Sequence, residues 1–201
     1  MIGILNYRIG NLQNLKNAFE VQSIPHQIFD DPKGLDGVEK IVIPGVVAFE
    51  AAMSNLKNFG FVEVLQKLAK QGMPILGVCV GMQILFEQSE ENGLHKGLGL
   101  IPGRVERFKK AKKIPHTGWN QVHIQQQNPI FLKIENDAWF YFVHSYSAFP
   151  TLENKDYSCG VTDYEEDFIS VVAKGKVVGC QFHPEKSQKA GLQFLKNFSE
   201  L

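Results

Sequence analysis

The segment 76–83 constrains the fold of this chain more than any other part of the sequence. It reads Leu-Gly-Val-Cys-Val-Gly-Met-Gln, so that Cys79 stands between Gly77 and Gly81. The apolar run before the cysteine predicts a buried strand, and the residues after it predict a helix over 80–88. Two glycines around a nucleophilic side chain are typical of a sharp strand-to-helix turn, because a Cβ would block such a turn. The segment therefore predicts an α/β architecture with the sulfur presented at the start of a helix.

Strand-like and helix-like segments alternate through the first half of the chain, which predicts a parallel sheet with helices on both faces. The second half carries several strand-like runs separated by turn residues, and it closes with an amphipathic helix for which Ser187 is the expected N-cap. We expect one domain over residues 1–201, a three-layer α/β fold in which a mixed, mostly parallel sheet is flanked by helices and carries an antiparallel extension. The strands expected in the first half cover 2–6, 25–29, 40–43 and 74–78, and the helices cover 11–21, 48–57, 61–70 and 80–88.

The composition excludes several classes of function. Lys and Arg number 21 and Asp and Glu number 21, so the formal net charge of zero indicates neither a nucleic acid nor an anionic membrane as a partner. No apolar run has the length of a membrane span, and the N-terminus lacks the basic region and cleavage site of a signal peptide. The 3 cysteines are widely spaced and form no disulfide framework, which is typical of a reduced compartment. We expect a cytoplasmic protein.

A cysteine nucleophile requires a histidine base and a third group that orients the histidine. His183 follows an apolar, strand-like run and precedes Pro184, which would end the strand, while Glu185 lies two residues beyond the histidine. Cys79, His183 and Glu185 are therefore the candidate catalytic residues, as nucleophile, base and orienting group. A lone cysteine is more often a small core residue, but the two flanking glycines favour the nucleophile.

The remaining candidates for chemistry are weaker. A helix N-terminus after Cys79 would favour the thiolate, and the N–H of Val80 would be free to bind an oxyanion. No second Cys/His pair joins Cys180 and His183 at zinc-ligand spacing, and no P-loop occurs, so we expect neither a metal nor a cofactor. Cys159 and Cys180 are interpreted as packing residues. Most of the other histidines are interpreted as surface or capping groups; the five are His26, His95, His116, His123 and His144.

Short motifs spread over nearly the whole chain carry a resemblance to a known family. Besides the segment 77–83, they are Gly10-Asn11-Leu12, Pro44-Gly45-Val46, Gly118-Trp119-Asn120, Phe142-Val143-His144-Ser145-Tyr146 and Gln181-Phe182-His183-Pro184-Glu185-Lys186-Ser187. Taken in order, they resemble the class I, triad-type glutamine amidotransferases, and most closely the glutaminase subunits of imidazole glycerol phosphate synthase. The resemblance implies the three-layer fold of the class I glutamine amidotransferases.

The resemblance also implies a role for each matching residue. Cys79 would attack the side-chain amide of glutamine and form a thioester, His183 would carry the proton to the leaving ammonia, and Glu185 would orient His183. The backbone N–H groups of the implied oxyanion hole come from Val80 and from the segment Gly45–Val46. The implied glutamine-binding positions are Gln83, Glu91, His144 and Ser145, the last two through their backbone. The implied partner-facing positions are Asn11, Trp119, Asn120, Tyr141 and Lys186.

In the family that the chain resembles, the partner is a synthase, or cyclase, subunit with a (β/α)₈ barrel. Ammonia crosses directly into this barrel, and the complex makes imidazole glycerol phosphate and AICAR in histidine biosynthesis. The resemblance therefore implies a heterodimer with glutamine as the small-molecule substrate. A glutaminase that released ammonia to water would waste glutamine, so we also expect activation when the partner docks.

Two positions depart from the family pattern. The family usually has Pro-Gly-Val-Gly at the oxyanion segment, whereas this chain has Val47 at the fourth place. A β-branched residue resists positive φ, so we expect the oxyanion hole to be harder to complete here. The first loop of the family usually reads Asp-Tyr-Gly, whereas this chain has Asn6-Tyr7-Arg8, and Arg8 lies near the expected interface.

Other interpretations of the same residues stay open. A paralogous subunit that supplies ammonia to a sugar amidotransferase of surface-polysaccharide synthesis would have identical catalytic residues and a different interface. A cysteine peptidase on the same turn is disfavoured by Gln83 together with the His-Pro-Glu segment. A catalytically silent binding module is a further alternative, because of Val47.

Overall fold

The computed structural model describes residues 1–9 and 12–201. Asn11, which the resemblance places at the partner interface, lies outside the described residues. The described strands are β1 Ile2–Leu5, β2 His26–Phe29, β3 Lys40–Ile43, β4 Ile75–Val78, β5 Phe86–Ser89, β6 His95–Lys96, β7 Ile101–Arg107, β8 His116–Ile124, β9 Ala138–His144, β10 Tyr146–Ala148, β11 Ser158–Asp163, β12 Asp167–Lys174 and β13 Val177–Cys180. The described α-helices are α1 Leu12–Val21, α2 Phe49–Asn58, α3 Phe61–Lys70, α4 Val80–Gln83 and α5 Gln188–Glu200.

The larger sheet has the strand order β2-β1-β3-β4-β13-β12-β11-β8-β9. Its neighbours from β2 to β13 are parallel, and those from β13 to β9 are antiparallel. Every residue of β1, β4 and β13 is buried, as expected of central strands that are covered on both faces. The structure thus confirms an α/β fold with a mixed sheet and an antiparallel extension, and it places β4 and β13 side by side.

A second sheet, with the order β10-β7-β5-β6, was not expected from the sequence. The predicted helix over 80–88 is wrong, because α4 ends at Gln83 and β5 begins at Phe86. Ile84, Leu85 and Phe86 are all fully buried, and such an apolar run suits a buried strand as well as a buried helix. Pairing of β5 with β7 provides the backbone hydrogen bonds of this stretch instead.

Ser187 precedes α5 as predicted, but its side chain does not cap the helix. Its Oγ donates to the carbonyl of His183 at 2.6 Å and accepts from the N–H of Tyr141 at 3.0 Å. The hydroxyl therefore ties the segment after β13 to β9, which fixes the backbone around His183. None of the helices in the described part of the chain has the length and apolar character needed to cross a bilayer.

Candidate active site

Cys79 lies at the tip of a tight turn between β4 and α4. Its backbone has φ 54° and ψ −111°, a conformation that side-chain-bearing residues adopt only at a cost. A Cβ on Gly77 would lie 2.3 Å from the carbonyl oxygen of Gly81, and a Cβ on Gly81 would lie 1.9 Å from the carbonyl oxygen of Ile43. The two glycines thus allow the turn to close and to pack against the end of β3.

The helix that follows Cys79 contributes less than the sequence suggested. α4 has only 4 residues, and the carbonyl of Cys79 accepts from the N–H groups of Met82 and Gln83 at 3.0 and 3.2 Å. A macrodipole grows with the number of aligned peptides, so a single turn gives the thiolate little support. The stabilisation of a thiolate here has to come from side chains that lie near the sulfur.

His183 and Glu185 form a buried pair beside the cysteine. The His183 side chain is 2% exposed, and its Nδ1–H donates to Glu185 Oε1 at 2.8 Å, which leaves Nε2 as the atom available for proton transfer. Nε2 has no hydrogen-bond partner among the described residues. Burial by itself lowers the pKa of His183, but Cys79 and Glu185 outweigh burial and raise this pKa to about 10. The histidine is therefore held as a cation beside Cys79.

An open pocket lies over Cys79 and contains all four predicted glutamine-binding positions. Its walls include Gln83, Glu91, His144 and Ser145, together with the predicted oxyanion residues Val46 and Val80 and with His183 and Lys186. The structure brings these residues together from α4, from the junction of β9 and β10, and from the segments that follow β3, β5 and β13. Their grouping is the arrangement that the family resemblance requires, although each individual role stays a prediction.

Two wall residues already have hydrogen-bond partners that define their orientation. Gln83 Nε2 donates to the carbonyl of Tyr146 at 2.8 Å, and the side chain lines the pocket. Glu91 Oε2 accepts from the N–H of Phe49 at 2.8 Å and thereby closes the N-terminus of α2. Glu91 is thus a structural cap as well as a predicted glutamine contact.

The predicted oxyanion segment packs directly against the cysteine turn. A Cβ on Gly45 would lie 2.7 Å from the backbone nitrogen of Gly81 and 2.8 Å from Val80 Cβ. Tyr7, which the sequence reading missed, is fully buried and donates its hydroxyl to the carbonyl of Pro44. Burial, with a smaller contribution from Cys79, raises the pKa of Tyr7 and keeps it protonated as a donor. The start of the oxyanion segment is therefore anchored.

The two departures from the family pattern have visible backbone consequences. Val47 does not adopt a positive φ, so the segment rests in a conformation that a β-branched residue tolerates. Arg8 has φ 63°, and it stands where the family usually has a glycine, which enters this region without a Cβ penalty.

The predicted partner-facing residues that the structure describes lie near one another at the edge of the larger sheet. Trp119 on β8 pairs with Tyr141 on β9, and the two rings meet edge to face at 6.0 Å. Lys186 Nζ lies 5.7 Å from the centre of the Tyr141 ring, and the Tyr141 carbonyl accepts from the N–H of His183. Asn120 points elsewhere, because its Nδ2 donates to the carbonyl of Asp163 at 2.9 Å. The tryptophan, tyrosine and lysine thus form a surface that reaches the backbone of His183.

Two of the five other histidines, His116 and His144, are buried rather than at the surface. His144 Nδ1 donates to the carbonyl of Tyr146 at 3.0 Å, and His116 Nδ1 lies 3.1 Å from His144 Nε2. Both rings pack in a cluster of aromatic side chains that includes Phe108 and Phe168. Burial lowers the pKa of His116 to about 4, and burial with the neighbouring His116 and His183 lowers that of His144 to about 3. No periodic pattern in the sequence marked them as buried, because each lies at the end of a half-exposed strand.

The neutral state of His144 predicts acid sensitivity of the fold. Its folded pKa of about 3 lies below the value of about 6.5 in an unfolded chain, so the unfolded state binds more protons between these values. The free energy of unfolding therefore falls as the pH is lowered through this window. Between pH 7 and pH 5, we expect the free energy of unfolding to fall by about 2 kcal/mol less in His144→Gln than in the unaltered protein, as measured by urea denaturation. A dependence on pH that is unchanged in His144→Gln would contradict the assignment.

The remaining cysteines are buried as expected, and no described pair of cysteines is bonded. Burial raises the pKa of Cys159 and of Cys180 and keeps both as thiols. Gln181, between Cys180 and Phe182, also lies near the sulfur, and no motif in the sequence assigned it a role. Its only sequence signal is an amide side chain within an otherwise apolar run.

Comparisons with known proteins place this geometry in a family. The family described as "Glutamine amidotransferase class-I" matches residues 6–200. Subunit HisH of imidazole glycerol phosphate synthase from Desulfitobacterium hafniense (strain Y51) is 44% identical over 200 residues, which cover 100% of this chain and 94% of the relative. The HisH subunit of Methanocaldococcus jannaschii is 45% identical over 201 residues, which cover 100% of both chains.

Solved structures agree with the fold. A crystal structure of a glutamine amidotransferase superposes with a TM-score of 0.75 at 18% identity and covers 100% of this chain and 99% of its own. PurLQS from Thermotoga maritima gives a TM-score of 0.74 at 17% identity and covers 98% of this chain and 96% of that one. At such identities the likeness supports the fold alone, whereas the family match extends to the sequence around the cysteine, the histidine and the glutamate. The chain belongs to the class I glutamine amidotransferase family.

Proposed function

We propose that this protein is the glutaminase subunit of an imidazole glycerol phosphate synthase and supplies ammonia for histidine biosynthesis. The observation that carries the proposal is the buried pair of His183 and Glu185 beside Cys79, at the base of a pocket whose walls include Gln83. The full-length relatives, which carry the name HisH, favour this pathway over surface-polysaccharide synthesis. A peptidase is disfavoured by the family match, and a silent binding module by the complete set of catalytic side chains.

In the proposed reaction, the Cys79 thiolate attacks the amide carbon of glutamine. The carbonyl oxygen takes up negative charge, which the N–H of Val80 stabilises, since the first N–H groups of a helix have no acceptor within it. The second donor comes from the Gly45–Val46 segment, which already contacts the Val80 turn. Imidazolium Nε2–H of His183 then protonates the leaving nitrogen, so that ammonia departs and a thioester remains.

The second half of the reaction returns the enzyme to its starting state. His183, now neutral, accepts a proton from water through Nε2 as the water attacks the thioester carbon. Collapse of this adduct releases glutamate and restores the thiolate beside the imidazolium. Glu185 keeps Nδ1–H of the ring in place throughout, so that Nε2 alone exchanges the proton.

We propose a synthase subunit with a (β/α)₈ barrel as the partner, in a heterodimer in the cytoplasm. The partner-facing surface of Trp119, Tyr141 and Lys186 supports this, because it borders the pocket from which ammonia leaves. The free cysteines favour a reducing compartment. Since parallel and antiparallel strands share one sheet, we treat residues 1–201 as one domain.

The test is recovery of the partner, followed by an assay of the complex. Tagged protein is purified from its own cells, the bound protein is identified, and glutamate formation is measured with the partner and the partner's ligand. We expect a (β/α)₈ synthase subunit and a rise in glutamine turnover of about a hundredfold, the size of one oxyanion-hole donor. A partner that aminates a nucleotide sugar, or a complex without turnover, would refute the proposal.

The proposed reaction makes a prediction for Val47. Val47→Gly should allow the positive φ that the usual family sequence allows, and should raise turnover without the partner by about tenfold, a part of the value of one oxyanion donor. Turnover in the complex should change less, because docking already arranges the segment. Val47→Ala is the matched control, since it reduces size without freeing φ. Equal gains in both variants would assign the effect to pocket size instead.

A further inference from the structure

Gln181 contacts the nucleophile and has no role in the reaction described so far. Its side chain is fully buried directly after β13, and its Nε2 lies 3.7 Å from Cys79 Sγ. Its Oε1 accepts from Gln83 Nε2 at 3.1 Å and from Ser147 Oγ at 3.4 Å. A buried amide with three partners is held in one orientation, and one of these partners is the sulfur.

The orientation of this amide follows from a fixed acceptor. The carbonyl of Tyr146 can only accept, so the atom of Gln83 that faces it at 2.8 Å must be the nitrogen. That nitrogen also faces Gln181, so the facing atom of Gln181 must be its oxygen. The nitrogen of Gln181 therefore points at the sulfur, because exchange of the two amide atoms would set the N–H groups of Gln181 and Gln83 against each other.

An N–H donor discriminates between the two states of the cysteine. A thiolate is a strong acceptor and a thiol a weak one, so a donor aimed at the sulfur favours the charged state. The macrodipole of the single turn α4 gives little support, and the imidazolium of His183 becomes neutral once it has protonated ammonia. Gln181 is a donor that stays in place through both halves of the reaction.

We propose that Gln181 is a positioning residue that donates a hydrogen bond to the Cys79 thiolate and fixes the direction of the sulfur. The proposal rests on the proposed function for its role in turnover, but not for the hydrogen bond itself. Through Gln83, the same amide joins the nucleophile to the wall that is predicted to bind glutamine. The position of the sulfur and the position of this wall are thereby set by one chain of hydrogen bonds.

The first test measures the reactivity of the sulfur without glutamine. Gln181→Met keeps the length of the side chain and removes the donor. We expect the pH profile of Cys79 alkylation by iodoacetamide, followed by mass spectrometry, to move up by about one unit, which lowers the rate near pH 7 about tenfold. Gln66→Met is the matched control, because Gln66 Nε2 donates to the carbonyl of Leu98 away from the pocket. An unchanged profile in a folded Gln181→Met protein would overturn the proposal.

The second test uses the unaltered Gln181 and so does not depend on whether Gln181→Met folds. The side-chain ¹⁵N resonance of Gln181 should shift with pH in step with alkylation of Cys79, and this shift should vanish in Cys79→Ala. A resonance that does not respond would overturn the proposal even if Gln181→Met is unstable.

Turnover separates the hydrogen bond from the proposed function. In the complex, Gln181→Met should lower kcat about tenfold. KM should change little, because the Tyr146 carbonyl still holds Gln83 in place when the bond from Gln181 is lost. If the alkylation profile shifts in Gln181→Met but the unaltered protein turns over no glutamine, the proposed function is refuted and the inference stands. Turnover by the intact protein, with no alkylation shift in Gln181→Met, would refute the inference alone.

Discussion

His183→Ala should lower glutamine turnover by about 10⁴-fold or more, because it removes the group that protonates the leaving ammonia and activates water. The loss should appear in kcat, since His183 Nε2 faces the reacting sulfur. The assay is glutamate formation in the complex with the synthase partner. His123→Ala is the control, because His123 is a surface residue paired with Asp137. Comparable loss in both variants, or retention of activity in His183→Ala, would refute the assignment of the base.

Glu185→Gln extends the same argument to the orienting group. The substitution keeps the shape of the side chain and removes one of the charges that raise the pKa of His183 to about 10. We expect a loss of about a hundredfold in kcat, smaller than that of His183→Ala, because the imidazole remains in place. The imidazolium should also lose its proton at a lower pH, which NMR titration of the ring would detect. An unchanged titration would show that Glu185 does not act through the histidine.

Gly81→Ala should destabilise the protein by more than about 3 kcal/mol, because its Cβ would lie 1.9 Å from the carbonyl oxygen of Ile43. A backbone atom cannot rotate away as a flexible side chain can, so the turn at Cys79 would have to move. We expect urea denaturation to show the lower stability and iodoacetamide to react with Cys79 at an altered rate.

Gly72→Ala is the control for Gly81→Ala. Gly72 has φ 82°, but an added Cβ would meet nothing within 4 Å. Its cost should therefore be that of the backbone conformation alone, about 1 kcal/mol. Similar costs for the two substitutions would mean that the contact with Ile43, and so the close packing of the turn on β3, is not the constraint that the structure shows.

The first half of the fold was predictable because its signals are local. β3, α3 and β4 lie where apolar runs and helical spacing place them, and the glycines around Cys79 mark the turn between strand and helix. The helix over 80–88 failed because residues 84–86 are apolar in succession. Such a run suits either a buried helix or a strand, and only its pairing with β7 decides between them.

Some residues of the functional site could likewise be found from local motifs, and others could not. Cys79, His183 and Glu185 lie in short motifs that could be read without coordinates, and the structure adds the buried contact of His183 with Glu185. Gln181 and Tyr7 could not be found in this way, because their partners are distant along the chain. Gln181 and Cys79 are 102 positions apart, and Tyr7 and Pro44 are 37 apart. No local pattern encodes such contacts, since they exist only when β4 and β13 lie side by side and the first loop covers the end of β3.

The sequence by itself determined the kind of chemistry: a cysteine between two glycines, a histidine and a glutamate after an apolar strand, and a family whose members share these motifs. Backbone geometry and residue type carry that information, and both are local. Only the tertiary structure decided how the cysteine is supported. α4 proved to be a single turn, so a buried imidazolium and a buried amide, rather than the helix dipole, support the sulfur. The physical reason is that the preference of a sulfur for its charged state depends on which donors and charges lie within a few ångströms of it, and the packing of distant segments sets those distances.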